Sequence, residues 1–196
     1  MFLETITKGR LRAASLWDGG IMIKYRYNRV VHAPRDFVFI TMRDHQTELN
    51  EMLPNVSTCS IVEDRPCEGA RRIVAEVTGN AEIPFFLKPF INIRQLVWHS
   101  IQIWDDDEWS CDYRIETAYY REHVEVRGKW WFKERTFDKT NIYIDSMIGI
   151  DAKGIPGVPV QLASGISTFA EQILHKMTLP NLNRICAIVE EMNGCH

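Results

Sequence analysis

The sequence has no excess of basic charge: 23 Lys and Arg stand against 26 Asp and Glu in 196 residues, a formal net charge of −3. Such a chain has no general field for a phosphate backbone, so nucleic acid is not an expected partner. Long apolar runs are missing too. The most apolar stretch, 83–93, is broken by Pro84, Lys88, Pro89 and Asn92, short of the ~18 residues a spanning helix needs. The cysteines, Cys59, Cys67, Cys111, Cys186 and Cys195, are odd in number and form no C-x-x-C pair. They read as the reduced thiols of an intracellular, cytoplasmic protein, neither a disulfide frame nor a zinc site. The histidines at 32, 45, 99, 123, 175 and 196 have no H-x-H or H-x-x-x-H spacing, so no metal or other cofactor is expected. Ser164 sits in no G-x-S-x-G elbow, and no Gly-rich phosphate loop follows a strand. Nothing in these motifs demands an enzyme.

What is present is an ordinary globular composition, 45% hydrophobic and 25% charged, enough for one core and one domain. Residues 1–17 lack the apolar centre of a secretory signal, and Glu4 argues against a mitochondrial presequence. Phe2, Leu3, Ile6, Lys8, Arg10 and Arg12 suit a weakly amphipathic basic helix or a frayed end, so 1–20 is set apart as an N-terminal extension to a single domain over 21–196.

From Ile21, the residues Ile23, Tyr25, Tyr27 and Val31 alternate with Met22, Lys24, Arg26, Asn28 and His32, the period-2 pattern of a strand with one buried face. Ala33-Pro34 ends it. Phe37, Val38, Ile40 and Thr41 then predict a short helix to about Arg43, and 46–53 a second one, stopped by Pro54-Asn55. The segments 56–63, 70–78, 92–104, 109–119, 122–137 and 140–150 are each rich in β-branched or aromatic residues, and turn-length breaks imply antiparallel neighbours. Beyond Gly154-Ile155-Pro156-Gly157 the period changes: Leu162, Ile166, Phe169, Ile173 and Met177, then Leu182, Ile185, Ile188, Val189 and Met192, predict a long amphipathic helix with a break near Pro180.

This order, one strand, two short helices, six antiparallel strands and a long terminal helix, resembles the START-like superfamily (SRPBCC), also called the helix-grip or birch-pollen-allergen fold. Local stretches agree: Val30-Val31-His32-Ala33-Pro34 followed by Phe37-Val38-Phe39, and Leu49-Asn50-Glu51-Met52-Leu53-Pro54-Asn55-Val56. Ile83-Pro84 through Phe90, a strand ending at Trp104, Val126-Arg127-Gly128-Lys129 and Ile155-Pro156-Gly157 are similar to a subgroup that offers no established catalytic residues to carry over. The resemblance implies an α+β domain whose curved seven-stranded antiparallel sheet wraps the C-terminal helix, with a hydrophobic cavity between them.

Within that expectation, Tyr27 and Arg29 share the buried parity of the first strand. An inward Arg29 requires a carboxylate partner or an anionic ligand head, the alternative being a solvated strand end. On the strand over 92–104, Gln95 and His99 fall on a face with Ile93, Val97, Ile101 and Ile103 and would orient a ligand, unless His99 is simply a hydrogen-bonded core residue. Tyr113, Thr117, Trp130 and Ser146 are candidates for the same lining, with Phe169 and Ile173 facing it from the helix. Phe85, Phe86 and Phe90 mark the cavity mouth, where they either plug the sheet's open end or touch a membrane surface with Lys88 beside them. Asp105-Asp106-Asp107-Glu108 reads as a solvated turn.

The function expected is binding, with transfer a further role, of a hydrophobic or amphipathic small molecule such as a lipid. The alternatives are a polyketide cyclase/aromatase-like enzyme and a pocketless adaptor.

Overall fold

Strict alternation from Gly20 onward makes a twelve-residue strand; the strands after the two short helices pair each with the next in sequence, and the last of them closes back on that first long strand. The computed structural model describes residues 11–17, 20–80, 96–151, 153–154, 159, 161, 165 and 178–194. Its strands are β1 (Leu11–Trp17), β2 (Gly20–Val31), β3 (Val56–Cys67), β4 (Ala70–Gly79), β5 (Val97–Asp105), β6 (Ser110–Thr117), β7 (Val124–Thr136) and β8 (Lys139–Ile150). The helices are α1 (Arg35–Asp44), α2 (Gln46–Glu51) and α3 (Leu179–Gly194). All strands join one antiparallel sheet in the order β1-β2-β8-β7-β6-β5-β4-β3.

Seven of these strands are the expected ones; β1 is an addition. The extension was expected to be helical or frayed, but 11–17 pairs with β2, Trp17 opposite Gly20, and covers its outer edge. A second departure is at β3, which runs through Pro66 to Cys67 where a loop from Asp64 was expected. Proline is tolerated because, among the described residues, β3 is an edge strand with no neighbour to receive the missing N–H. The turn shrinks to Glu68 and Gly69, both at positive φ (48° and 84°), the conformation two-residue hairpins favour.

The helices cover one face of the sheet. α1 begins after Pro34, whose carbonyl accepts from Val38 N at 3.0 Å, and carries Asp36 in its first turn and Arg43 in its last, both favourable to its dipole. Its Phe39 is buried edge-on against Trp104, Trp109 and Phe132, each ring 5.2 Å away. Truncating such a ring costs about 3–5 kcal/mol. Val31, Ile142, Ile144, Leu182, Ile188 and Val189 complete the core where α3 meets β2 and β8. The expected terminal helix is present from Leu179 to Gly194. Its earlier part, with Leu162, Ile166, Phe169, Ile173 and Met177, lies outside the described residues, as does 83–91.

Candidate functional site

The register of five strands places Gln102, Tyr113, Gly128, Ser146 and Tyr25 opposite one another in a single row across the sheet. The row faces the helices, because Tyr25 joins the core and Gln102 meets Gln46 of α2. On one side of it lie Trp104, Cys111, Trp130, Ile144 and Tyr27; on the other, Ile115, Val126, Ile148 and Ile23. A polar band therefore crosses a largely apolar inner surface.

Hydrogen bonds run along this band in one direction. The Ser146 hydroxyl donates to the Arg127 carbonyl at 3.2 Å, which makes the Tyr113 hydroxyl the donor to Ser146 Oγ. The Tyr25 hydroxyl then points toward Tyr113 Oη at 3.5 Å, a long contact that leaves it able to serve another acceptor. Burial, reinforced by Tyr25, pushes the Tyr113 phenol well above its ordinary value, so it stays a protonated donor. Gly128 makes the arrangement possible: a Cβ there would lie 2.8 Å from both Tyr113 Cε1 and Ser146 Oγ and 2.6 Å from the Asp145 carbonyl. Only without a side chain at 128 does the Tyr113 ring lean across β7 to reach β8. Trp130 meets that ring edge-on at 6.4 Å. At the β5 end, Gln46 and Gln102 exchange side-chain amide bonds of 2.8 and 3.0 Å, and Gln102 also accepts from Trp104 Nε1 at 2.7 Å.

A second polar group fastens α3 to β2. The Tyr27 hydroxyl donates to Asn183 Oδ1 at 2.9 Å and lies 3.8 Å from Cys186 Sγ. Arg29 donates to the Asn183 carbonyl at 2.9 Å and to Glu190 at 3.3 Å; Glu190 also accepts from His32 N at 2.8 Å. Arg29 thus faces the helix side and finds a carboxylate partner there. Burial pushes the Cys186 thiol up to about 11, which leaves it unreactive.

The structure brings Tyr27, Arg29, Tyr113 and Trp130 to the inner side and does not bring His99 to them. His99 lies on the outer face of β5, its Nε2 3.2 Å from Glu76 and its side chain one-third exposed (33%). The expected lining had combined its parity with that of Tyr113, but Gln102, not Ile101 or Ile103, is the residue opposite Tyr113. Gln95, Phe169, Ile173, Phe85, Phe86 and Phe90 lie outside the described residues. Tyr25, Gln102, Gly128, Asn183 and Glu190 were not singled out from sequence, because only cross-strand register reveals the row. Thr117 is left with its buried hydroxyl unpaired at the far end of β6. In the acidic turn, Asp106 accepts both of its 2.7 Å bonds from Arg43, and Asp105 receives Glu108 N, so the turn is tied to α1.

On the opposite side of the sheet from the helices there is a cleft of about 850 Å³. It is lined by two cross-strand rows, Lys24-Met147-Arg127-Arg114-Ile101 and Arg26-Asp145-Lys129-Asp112-Ile103, with Arg72, and by Tyr25, Tyr113, Gly128 and Ser146 of the polar row between them. Arg26–Asp145 and Lys129–Asp112, both 2.9 Å, pair across it, while Lys24, Arg72, Arg114 and Arg127 have no carboxylate partner within the lining itself. Among the described residues no group of three His, Cys, Asp or Glu is placed to hold a metal ion, and no helix is long and apolar enough to cross a membrane.

No protein-family model and no curated protein matches the chain. Solved structures do. The Zhui aromatase/cyclase of a Streptomyces species is 17% identical with a TM-score of 0.62, covering 86% of this chain and 94% of its own. Norcoclaurine synthase from Thalictrum flavum, solved with dopamine and hydroxybenzaldehyde, is 12% identical with a TM-score of 0.58, covering 91% and 90%. Ara h 8.0201 is 15% identical with a TM-score of 0.51, covering 86% and 97%. At such identities the likeness is one of fold. Sheet order, paired short helices and terminal helix together give this chain the helix-grip fold that these structures share.

Proposed function

We propose that the protein binds a largely apolar or amphipathic small molecule carrying a hydroxyl or carbonyl group, held between the inner face of the sheet and the C-terminal helix. The observation that carries this reading is the Tyr25, Tyr113, Ser146 row, three hydroxyls in register between apolar rows, whose outermost contact is a long 3.5 Å. A ligand oxygen accepting from Tyr25 would complete the series in a site where a few polar groups orient an otherwise apolar guest. Trp130 and Tyr27 supply apolar wall, and Gln95, Phe169 and Ile173 are assigned to the remainder. That a protein of this fold holds dopamine and hydroxybenzaldehyde supports an oxygenated ligand. Entry is assigned to 83–91, where Phe85, Phe86 and Phe90 with Lys88 would meet a membrane surface. The free thiols of Cys59, Cys67, Cys111 and Cys186 accord with a reducing cytoplasm.

A second reading, an aromatase/cyclase-like enzyme, is favoured by one feature. Tyr25 is a phenol at the open end of a donor chain, suited to polarise a carbonyl. Among the described residues the row itself holds no imidazole or carboxylate to act as base, which favours binding.

Native mass spectrometry and organic extraction of the purified protein test the proposal. A co-purified apolar mass is expected, and Tyr25→Phe should weaken its rebinding about fivefold, the value of one hydrogen bond near 1 kcal/mol. No retained mass and no binding from an oxygenated hydrophobic panel would overturn it; conversion of a bound compound to a cyclised product would install the enzyme reading.

A further inference from the structure

The cleft on the far side of the sheet gathers positive charge in a chain whose net charge is −3. Of its two rows, Arg26-Asp145-Lys129-Asp112 alternates in sign and pairs within itself. The other, Lys24-Met147-Arg127-Arg114-Ile101, holds three cations and no carboxylate. Arg114 stands directly opposite Arg127, and toward β3 Arg65 stands opposite Arg72, whereas no two carboxylates are opposed in the described ladders. Like charges so placed repel, which a sheet left to itself does not favour. The carboxylates that answer them come from outside the lining and are shared: Glu63 between Arg65 and Arg72, Glu116 between Arg114 and Arg121, with Glu125 beside Arg127. Among the described residues Lys24 makes no ion pair, so the cations of this face outnumber its carboxylates even with the rim included.

We propose that this cleft is a second binding site, for a compound carrying two or more phosphate groups. One phosphate lies between Arg114 and Arg127, on neighbouring strands about 5 Å apart, and the next between Arg127 and Lys24, over Met147. Guanidinium forks match phosphate oxygens in pairs. The side chains of Arg114 and Arg127 are 62% and 64% exposed, and surface pairs such as theirs with Glu116 and Glu125 hold weakly in water, so a phosphate displaces these glutamates readily. Beneath the charges, Ile101 and Met147 are buried and form an apolar floor, which focuses the field of the cations into the cleft. Its volume of about 850 Å³ suits a small molecule. A soluble organic phosphate and the headgroup of a phosphorylated lipid present the same chemistry to this row.

Isothermal titration of the full chain with inositol hexakisphosphate reads the site. The probe should bind saturably, and Arg114→Gln with Arg127→Gln should weaken it by about tenfold or more. That variant should melt no lower than the wild type, because it also removes a repulsion. Lys24→Gln, which has no ion pair to lose, should weaken binding about threefold and gives the same reading if the double variant fails to fold. Arg184→Gln with Lys153→Gln removes equal charge from exposed positions elsewhere and should bind as the wild type does. Capture by vesicles containing a bisphosphorylated phosphoinositide, lost in the double variant, assigns the anion to a lipid headgroup; binding of the free probe without vesicle capture assigns it to a soluble compound, and either upholds the site. No saturable binding, undiminished binding by the cleft variants, or an equal loss in the Arg184 and Lys153 variant overturns the proposal. None of these outcomes bears on ligand binding at the inner face.

Discussion

Replacing Gly128 by alanine is the most direct probe of the inner row. The new methyl would sit 2.6 Å from the Asp145 carbonyl and 2.8 Å from both Ser146 Oγ and Tyr113 Cε1. The carbonyl belongs to a strand paired on both sides and has little room to retreat. The Tyr113 ring is the mobile party, and moving it breaks its bond to Ser146. Overpacking of this kind costs about 1–3 kcal/mol. Alanine also restricts the unfolded chain, a gain of about 0.4–1 kcal/mol that does not offset a cost near the middle of that range. In a domain of this length each kcal/mol moves Tm by about 2–4 °C, so a net loss near 1–1.5 kcal/mol lowers it by roughly 2–6 °C. Thermal unfolding followed by circular dichroism measures it. The same substitution in a Tyr113→Phe background should cost less, because the ring no longer has a hydroxyl to keep in place. If Gly128→Ala melts at or above the wild type, the close approach of Tyr113 over β7 is not a constraint and the derivation of the row is wrong.

Further expectations concern pH, the outer face and ligand entry. Burial raises the Cys186 and Cys59 thiols to about 11, and the Tyr27 and Tyr113 phenols above the tyrosine range. The unfolded chain therefore loses these protons first. Their contribution is fully present below the ordinary thiol value of 9.0 and is lost progressively as pH rises toward 11, so urea midpoints should be level up to the first value and fall beyond it. A midpoint that increases between these values would contradict the sign. His99→Gln should leave ligand affinity unchanged within twofold and change stability by no more than ~0.5 kcal/mol, its partner Glu76 being a partly exposed surface group; a large loss of binding would place His99 at the site after all. Phe85→Ser with Phe86→Ser should slow uptake from anionic liposomes without lowering Tm, and simple unfolding of the double variant would make 83–91 core.

The strands were legible in the sequence because their period is local. β2, with Ile23, Tyr25, Tyr27 and Val31 against Lys24, Arg26 and Asn28, has one apolar parity, and its inner face follows at once. β5 does not decide between its faces: Val97, Ile101 and Ile103 are set against Trp98 and Trp104, apolar on both sides, and charged long side chains from neighbouring strands bury Ile101 on the outside. The parity is settled by Gln46, which reaches Gln102 from a helix 56 positions away, information no window of sequence contains. The same holds for the polar row. Tyr113 and Ser146 were named as candidates, but Tyr25, Gly128 and Gln102 join them only through register summed over five strands. β1 was obscured by Lys8, Arg10 and Arg12, whose spacing suits a helix, while pairing with β2 supplies the backbone bonds that make 11–17 a strand.

The fastening of α3 to β2 also determines when this chain can become native. Arg29 and Glu190 are 161 positions apart, and β2 meets β8 only after the whole meander has been made. Hairpins from β3 through β8 join neighbours in sequence and can form as they are synthesised, whereas β2 must wait for the last strand and then for the last helix. Loop closure of that length makes the final step slow relative to the hairpins. Until α3 docks, the part of the inner face around Tyr27, Ile142 and Ile144 stays without its helix cover, so truncations within 179–194 should raise chaperone demand.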